Sequence, residues 1–299
     1  LNDIDADYQL VDTEAKEDEL LQLIVTRDNF ALDTETTGTD PISAELVGMS
    51  FSFAENQAFY VPVPSNRDEA QKLVDKFKPV FENESSLKIG QNIKYDILVL
   101  ANYGVEVKGP MFDTMVAHYV LQPELHHGMD YLAEVYLKYD TIKIEELIGP
   151  KGKNQKNMRD LSPEEVYKYA CEDADVTFKL KNILEKELVT NGVDKLFYEI
   201  EMPLMPVLAQ METDGVLLDT DALIWLVTSY DKDQAAMKAD PLYSKLAVHT
   251  QGRDVFVEDG ELTGSALSFL TVLSLPMLLE NVPPLLDKAV DGDPATAVG

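Results

Sequence analysis

The strongest local pattern in this chain predicts a single long helix in the middle of the sequence. Ser162 is suited to cap the helix, Pro163 fits the first helical position, and Glu165 completes a capping box. Helical periodicity then continues from Val166 to Leu188, and Asn191-Gly192 supplies a stop signal. We therefore expect this helix to be the last element of a domain that ends near residue 192.

The residues before this helix contain first strand-like and then mostly helix-like stretches. The predicted strands, of which the second and third form a hairpin, are Phe30–Glu35, Leu46–Phe53, Ala58–Val63 and Leu87–Gly90. The predicted helices are Asn66–Phe81, Ile93–Tyr103, Asp113–Leu121 and Met129–Tyr139. This mixed order of strands and helices predicts an α/β domain built on a mixed sheet.

The charge of the chain limits the partners that it can bind. The chain carries 54 Asp and Glu residues against 25 Lys and Arg residues, a formal net charge of −29. A surface of this sign repels phosphate backbones, which excludes a protein that coats DNA or RNA along its length. Contact with nucleic acid must then be local and assisted by metal cations. The main group of Lys and Arg side chains lies in Gly149–Arg159, which we predict to be a mobile loop. This loop either contacts a nucleic-acid strand or is only solvated.

Two carboxylates on the first predicted strand are candidate metal ligands. Asp33 and Glu35 stand two residues apart, so both side chains project from the same face of the strand, next to a glycine turn. Mg²⁺ and Mn²⁺ prefer such oxygen ligands. The spacing alone is a weak signal, because it recurs at other acidic pairs in the chain and a solvated strand end explains it better.

Two further segments supply the other members of the candidate site. Tyr169 and Asp173 lie four residues apart on the capped helix, so they share a face, whereas Asp175 points elsewhere. Asp96 follows a short predicted strand and falls early in the next helix. Three separate parts of the chain thus contribute four carboxylates and a phenol.

Three motifs resemble those of the DEDD 3′–5′ exonucleases, in the branch that carries tyrosine rather than histidine in the third motif. They are Asp33-Thr-Glu-Thr-Thr-Gly38, Gln91-Asn-Ile-Lys-Tyr-Asp96 and Tyr169-Ala-Cys-Glu-Asp-Ala-Asp-Val176. The resemblance covers about residues 8–223, and it is strongest to the proofreading domain of bacterial family-A DNA polymerases. It implies a ribonuclease-H-like fold.

The resemblance also implies roles for individual residues. Asp33 would bridge two divalent cations, with Glu35 and Asp173 completing the site of one of them. Asp96 would hold the second cation, and Tyr169 would orient the attacking water. The residues implied to contact the terminal nucleotide are Thr36, Gln91 and Asn92. The implied cofactor is a pair of Mg²⁺ ions, with Mn²⁺ or Zn²⁺ as substitutes.

The activity implied by the resemblance is metal-dependent removal of nucleotides from the 3′ end of DNA. The partners that it implies are a single-stranded DNA 3′ end and the polymerase domain of a parent chain. Two alternatives stay open: an RNA 3′-processing exonuclease, and a catalytically silent module that binds a DNA end or a partner protein. The single cysteine, Cys171, excludes an internal disulfide and fits a reducing cytoplasm.

The residues after 192 give a weaker signal. Tyr198–Leu223 resembles the opening of the polymerase domain in the same family, but none of the polymerase motifs follows. We therefore predict an exonuclease domain over 1–192, then a truncated or divergent and mainly helical segment over 193–299, with no polymerase activity in this chain.

The ends of the chain raise two further expectations. Leu262–Leu279 is an uncharged stretch of 18 residues, but its flanks are acidic rather than basic, which disfavours a membrane-spanning helix. We therefore expect a protein that makes no contact with a membrane. Because the sequence begins with Leu1 rather than Met, we also expect the chain to be a piece of a longer protein.

Overall fold

A computed structural model describes residues 6–152 and 155–215, together with two short strands farther along the chain. The chain divides into two compact units, Leu1–Val216 and Leu217–Gly299. In the second unit the described residues are the antiparallel strands Val257–Glu258 and Glu261–Leu262. The segment predicted to be mainly helical is described over 193–215 and in these two strands. Its other residues, including the rest of the uncharged stretch that ends at Leu279, lie outside the described residues.

The first unit is built on a six-stranded mixed sheet. Its strands are β1 (Asp7–Leu10), β2 (Asn29–Thr36), β3 (Leu46–Ala54), β4 (Gln57–Pro62), β5 (Leu87–Gly90) and β6 (Met111–Asp113). Their spatial order is β1-β4-β3-β2-β5-β6. The pairs β2–β3 and β3–β4 are antiparallel, whereas β1–β4, β2–β5 and β5–β6 are parallel. This arrangement confirms the predicted α/β class and its mixed sheet.

Helices surround this sheet, and the longest of them lies across one face. The helices of the first unit are α1 (Glu14–Ile24), α2 (Arg67–Phe81), α3 (Ile93–Ala101), α4 (Thr114–Leu121), α5 (Met129–Leu132), α6 (Ile144–Ile148), α7 (Pro163–Thr190), α8 (Asp194–Leu196) and α9 (Met202–Asp214). The helix α7 contacts every strand from β1 to β5. Within the described part of the chain, none of the helices combines the length and the apolarity that crossing a membrane requires.

The two central strands are buried because helices cover both faces of the sheet. Phe51 of β3 packs against Phe77 of α2, with ring centroids 5.6 Å apart. The helix α7 covers the other face of the sheet. It begins after Ser162, and the predicted capping box with Glu165 is present. The small residue Ala170 of α7 is fully buried, which allows the helix to lie close to the strands. The long helix and the central strands therefore form as the local patterns predict.

The structure contains elements that the sequence patterns did not predict. In the first unit they are β1, α1, β6 and α6, whereas α8 and α9 lie in the segment predicted to be mainly helical. The helix α1 begins after Thr13, whose hydroxyl accepts a hydrogen bond from a backbone N–H, but it buries only Leu20 and Ile24. Four acidic residues and a lysine occupy much of its first half, so its apolar periodicity is weak and the local pattern does not indicate a helix.

Two predicted helices end earlier than expected. The helix predicted over Ile93–Tyr103 stops at Ala101. The helix predicted over Met129–Tyr139 is α5 followed by a π-helical turn over Ala133–Leu137, which Lys138 ends in a left-handed conformation with φ of 55°. Apolar residues that continue the helical spacing past these ends still pack against the core, so their periodicity does not mark where the helix stops.

The first unit extends beyond the predicted domain end at residue 192, as far as Val216. Phe197 is fully buried, and its ring packs against Phe112 of β6 with centroids 4.8 Å apart. The helix α9 also contacts α3 and β6. The stop signal of the long helix marks the end of that element, whereas the compact unit includes the helical residues that follow it.

Close packing at the centre of the sheet depends on Gly48 in β3. A side-chain carbon added at Gly48 would lie 2.2 Å from the Tyr60 ring, far inside van der Waals contact. Tyr60 is 1% exposed, and Gly48 stands opposite Glu35 in the neighbouring strand. The missing side chain therefore leaves room for a buried tyrosine next to a candidate site residue.

We expect Gly48→Ala to lower the free energy of unfolding by about 3 kcal/mol, because the added methyl group must displace a buried aromatic ring. Gly38→Ala is the matched control. No described heavy atom lies within 4 Å of its added carbon, and we expect a change within about 0.5 kcal/mol. Urea denaturation followed by circular dichroism measures both changes. Equal stability of the two variants would contradict the packing described for Gly48.

Candidate metal centre

Strand β2 and helix α7 bring three of the predicted carboxylates together. Asp33 and Glu35 project from one face of β2, and Asp173 approaches them from α7, which packs across that strand. One carboxylate oxygen of each residue lies within 4.8 Å of those of the other two. Glu35 and Asp173 are buried, and Asp33 is partly exposed. Two residues of a strand and one residue of a distant helix thus form a single cluster.

The fourth predicted carboxylate reaches the cluster from another element. The strand β5 pairs with β2 only along Asn29–Ala31, and the chain then leaves the sheet and enters α3. Asp96 lies in the first turn of α3 and is buried, and its Oδ1 accepts a hydrogen bond of 2.6 Å from the Thr34 hydroxyl. Asp96 is not one of the three mutually close residues, but its charge interacts with that of Asp33.

The start of α3 is fixed by a buried aspartate at the end of β6. The helix begins after Asn92, which adopts a left-handed conformation with φ of 66°. Asp113 accepts hydrogen bonds from the backbone N–H of Ile93, at 2.7 Å, and from that of Val116 in α4, at 3.0 Å. One carboxylate therefore holds the first turns of two helices, and it fixes the position of Asp96 through the first of them.

The acidic residues on either side of Asp173 anchor α7. Glu172 is 1% exposed and accepts a hydrogen bond of 2.6 Å from the backbone N–H of Ile142. Asp175 is fully buried and accepts a hydrogen bond of 2.8 Å from the Tyr8 hydroxyl. These bonds tie α7 to a loop and to the edge strand β1, so they fix the rotation of the helix that carries Asp173.

The phenol of Tyr169 lies beside the carboxylate cluster. It is one helical turn before Asp173 and hydrogen-bonds with that carboxylate. Burial and then the charge of Asp173 raise the pKa of Tyr169 well above its ordinary value, and the charges of Glu35 and Asp33 add to the shift. A phenol with a raised pKa stays protonated near neutral pH, so it can orient a neighbour by hydrogen bonding but cannot act as a base.

Burial raises the pKa values of all four carboxylates. The pKa of Asp33 rises to about 6 because the carboxylate is taken out of water. Burial and then the charge of Asp33 raise the pKa values of Glu35, Asp96 and Asp173 well above their ordinary range. Without a cation, the carboxylates must therefore either take up protons near neutral pH or remain charged and repel one another. A bound divalent cation would compensate their charges and remove this repulsion.

The donor set of the cluster suits a hard divalent cation. Glu35 Oε1 is buried and has no hydrogen-bond partner among the described residues. A buried carboxylate oxygen without a donor costs free energy, and coordination of a cation would satisfy it. Mg²⁺ and Mn²⁺ bind through oxygen ligands, and Zn²⁺ also accepts carboxylates, so the arrangement fits divalent metals as a class.

The three residues predicted to contact substrate lie in two turns near the carboxylates. Thr36 ends β2, and its hydroxyl donates to the backbone of the following turn. The side-chain amide of Gln91 is engaged at both ends, because it donates to the carbonyl of His127 at 2.7 Å and accepts from the Thr114 hydroxyl. Asn92 is exposed. Of the three side chains, that of Asn92 is therefore the most accessible.

The predicted basic loop is partly built into the fold. A 3₁₀ turn over Met158–Asp160 buries Met158, and the Arg159 guanidinium donates to the carbonyl of Val63 at 2.5 Å. The structure thus holds Arg159 against the end of the hairpin, where it is not free to bind a strand. Lys151 and Lys156 are exposed and keep the cationic character of this segment.

Sequence patterns did not identify several residues that support the site. The supporting residues are Thr34, Gly48, Tyr60, Asp113 and Glu172. Their contacts join different elements, and spacing within one element cannot indicate such contacts. A usable signal existed for Asp113, because aspartate is a favoured helix cap and this residue precedes a helical pattern.

Comparisons with known proteins show which family the sequence is similar to. A family model described as a 3′–5′ exonuclease matches residues 8–189. DNA polymerase I of Borreliella burgdorferi is 37% identical over 229 residues, which cover 75% of this chain and 25% of that protein. DNA polymerase I of Pseudomonas aeruginosa is 34% identical over 304 residues, which cover 98% of this chain and 31% of that protein. The chain thus spans about a quarter to a third of the length of these relatives.

A solved structure supports the fold. Escherichia coli RNase D, an exoribonuclease involved in structured RNA processing, superimposes with a TM-score of 0.56 over 75% of this chain and 55% of that chain. The two sequences are 19% identical, so the likeness bears on the fold alone. It confirms the ribonuclease-H-like fold that the sequence motifs imply.

We expect divalent metal to stabilise the protein more strongly as the pH rises. Burial raises the folded pKa of Asp33 from 3.8 to about 6. The stability that its proton contributes is complete below about pH 4 and is lost as the pH rises through 6. A bound cation would offset that loss. The increase in melting temperature caused by Mn²⁺, measured against EDTA, should therefore be small at pH 5 and large at pH 8.

Asp173→Asn tests the electrostatic origin of this effect. The substitution removes one charge from the cluster, so in EDTA we expect the variant to melt at a higher temperature than the wild type at pH 8. It should also gain less stability from Mn²⁺. Glu164→Gln, at an exposed position in the first turn of the same helix, is the control and should respond as the wild type does. A Mn²⁺ effect that does not change with pH would contradict this account.

Proposed function

Because this chain belongs to the 3′–5′ exonuclease family, we propose that it hydrolyses the terminal phosphodiester bond at the 3′ end of DNA with the help of two Mg²⁺ ions. The observation that carries the proposal is the convergence of Asp33, Glu35 and Asp173, whose carboxylate oxygens lie within 4.8 Å of one another. Asp96 stands close enough to Asp33 for their charges to interact. Ligands from three distant segments thus meet at one place.

The four carboxylates would divide the task of holding the ions. The charge of Asp33 acts on each of the other three carboxylates, which supports assigning Asp33 to both cation sites. Glu35 and Asp173 would complete one site, and Asp96 would complete the other. When bound, the two ions neutralise the charge of the phosphodiester and lower the pKa of the attacking water. The chain contributes ligands that rigid elements already hold in position.

Tyr169 would orient the attacking water. Burial and the charge of Asp173 keep its pKa high, so the phenol carries its proton throughout the physiological range. If the phenol donates that proton to Asp173, its oxygen keeps lone pairs that can accept a hydrogen bond from water. A water held in this way presents its own lone pair to the phosphorus in a reactive orientation.

The substrate would bind through a few nucleotides only. A net charge of −29 disfavours contact with a long duplex, whereas a single-stranded 3′ end can enter a site where cations compensate the phosphates. We infer contacts to the terminal nucleotide from Thr36, Gln91 and Asn92. Asn92 is exposed and can make such a contact directly, whereas Gln91 would have to exchange its present hydrogen bonds.

We favour DNA over RNA as the substrate. The two relatives described above, at 37% and 34% identity, are DNA polymerases, whereas RNase D is similar at 19% identity and therefore in fold alone. An RNA 3′-processing exonuclease remains the second candidate. Digestion of DNA and RNA oligonucleotides of the same sequence distinguishes the two. A catalytically silent module is disfavoured, because Asp33, Glu35 and Asp173 converge and the charge of Asp96 interacts with that of Asp33.

We also propose that the chain acts as the proofreading part of a longer polymerase in the cytoplasm. The relatives with which it aligns are DNA polymerases that extend far beyond the matched region. In this proposal residues 1–192 carry the exonuclease activity. The segment 193–299 begins the polymerase part and has no polymerase activity of its own.

Asp33→Ala and Asp173→Ala should each lower the Mg²⁺-dependent removal of 3′ nucleotides by at least about 1,000-fold. Each substitution removes a ligand on which several kcal/mol of charge stabilisation depends. A 5′-labelled single-stranded oligonucleotide incubated with Mg²⁺ or with EDTA measures the rate. Glu164→Ala changes an exposed carboxylate on the same helix and should keep the wild-type rate. Wild-type activity in either aspartate variant would refute the assignment.

Tyr169→Phe should slow the reaction by roughly 10- to 100-fold, because the substitution removes only the oxygen that orients the water. The stabilisation by Mn²⁺ should persist, since all four carboxylates remain. Tyr167→Phe, on the same helix, is the matched control and should leave both quantities unchanged. If Tyr169→Phe abolished the Mn²⁺ effect together with the activity, the phenol would act in metal binding and the proposed role would be wrong.

A further inference from the structure

The side chain of Thr34 makes a contact that neither the motifs nor the comparisons assign. Thr34 lies between Asp33 and Glu35 in β2, so its side chain leaves the strand on the opposite face. It is 8% exposed, and its hydroxyl donates to Asp96 Oδ1 over 2.6 Å. Thr34 thus lies between two candidate ligands and hydrogen-bonds to a third, Asp96.

The shape of the sheet makes this contact possible. In the described structure β5 pairs with β2 as far as Ala31, while β2 continues to Thr36. The edge of β2 beyond Ala31 is approached by the first turn of α3, which carries Asp96. The Thr34 backbone N–H also interacts with the Asp96 carboxylate. Asp96 therefore takes a place along the strand edge where a neighbouring strand would otherwise pair.

A buried threonine needs a reason to keep its hydroxyl. Valine has almost the same shape and favours strands equally, and an unbonded hydroxyl in a protein interior costs free energy. At position 34 the hydroxyl is directed at one carboxylate oxygen. Asp96 also faces the like charge of Asp33, and the hydroxyl bond adds to the backbone N–H in holding its carboxylate against that repulsion.

We propose that Thr34 is a positioning residue for the second cation site. Its hydroxyl holds Oδ1 of Asp96, which keeps the other oxygen, Oδ2, available to the cation shared with Asp33. This inference rests on the proposed two-cation function. In this inference Thr34 contacts neither substrate nor cation. It only orients Asp96, which would contact the cation. Such supporting partners typically change metal affinity or activity by about 10- to 100-fold.

Thr34→Val is the direct test, because it removes the hydroxyl and keeps the branched shape. Titration of the whole chain with Mn²⁺, followed by isothermal calorimetry, should give two sites in the wild type. In Thr34→Val we expect one site of unchanged affinity and a second site weakened by about 10- to 100-fold. Thr34→Ser keeps the hydroxyl and should restore the second site. The unchanged first site also serves as evidence that the variant is folded.

The nuclease kinetics of Thr34→Val should also show weaker binding of one cation. In Thr34→Val the Mn²⁺ concentration that gives half-maximal nuclease activity should rise by the factor found in the titration. The maximal rate at saturating Mn²⁺ should change less, because the missing orientation is recovered once the cation is bound. Loss of the maximal rate and of both sites together, in a Thr34→Val chain that circular dichroism shows to be folded, would overturn the inference.

The outcomes separate this inference from the function on which it rests. A wild-type chain that binds fewer than two Mn²⁺ ions would refute the two-cation function and the role of Thr34 with it. Two sites of wild-type affinity in Thr34→Val would refute the role of Thr34 alone. If Thr34→Val did not fold, Thr34→Ala would replace it, since it adds no new methyl contact. Loss of the second site in Thr34→Ala, with its retention in Thr34→Ser, would support the inference, and equal binding by the two would overturn it.

Discussion

Repulsion among closely spaced carboxylates is the constraint on which the rest of this domain depends. Asp33, Glu35 and Asp173 bring oxygens within 4.8 Å of one another, although burial and neighbouring charge raise their pKa values. Flexible side chains would move apart under these conditions. Two of the three residues therefore lie on a strand inside a six-stranded sheet, and the third lies on a helix of 28 residues. The free energy of folding holds these carboxylates close together, and a bound divalent cation would offset their repulsion.

Other buried carboxylates help to stabilise that arrangement. Asp113 holds the start of two helices, while Glu172 and Asp175 attach the long helix to a loop and to the edge strand. Each of them accepts hydrogen bonds from backbone or hydroxyl donors, which satisfies a charge that burial would otherwise make costly. Part of the acidic excess of the chain thus anchors the helices, and part forms the carboxylate cluster. The remaining acidic surface restricts which nucleic acids can approach.

The parts of the site that could be predicted from the sequence are those with local signals. Strand periodicity places Asp33 and Glu35 on one face of a strand, and helical spacing places Tyr169 and Asp173 on one face of the long helix. The motif resemblance implies that these two faces meet. The bond from Thr34 to Asp96 joins residues 62 positions apart, and no spacing rule indicates it. The same holds for the continuation of the compact unit beyond residue 192, because it depends on packing against the sheet. Periodicity describes single elements, whereas these features arise only when separate elements come into contact.

The most direct test of the account is a crystal structure of this chain grown with Mn²⁺ and measured at a wavelength where manganese scatters anomalously. We predict two anomalous peaks in the carboxylate cluster. One should lie among Asp33, Glu35 and Asp173, and the other between Asp33 and Asp96. A map without peaks at these carboxylates, or with manganese bound elsewhere on the acidic surface, would contradict the claim that the fold assembles these four residues to hold paired cations.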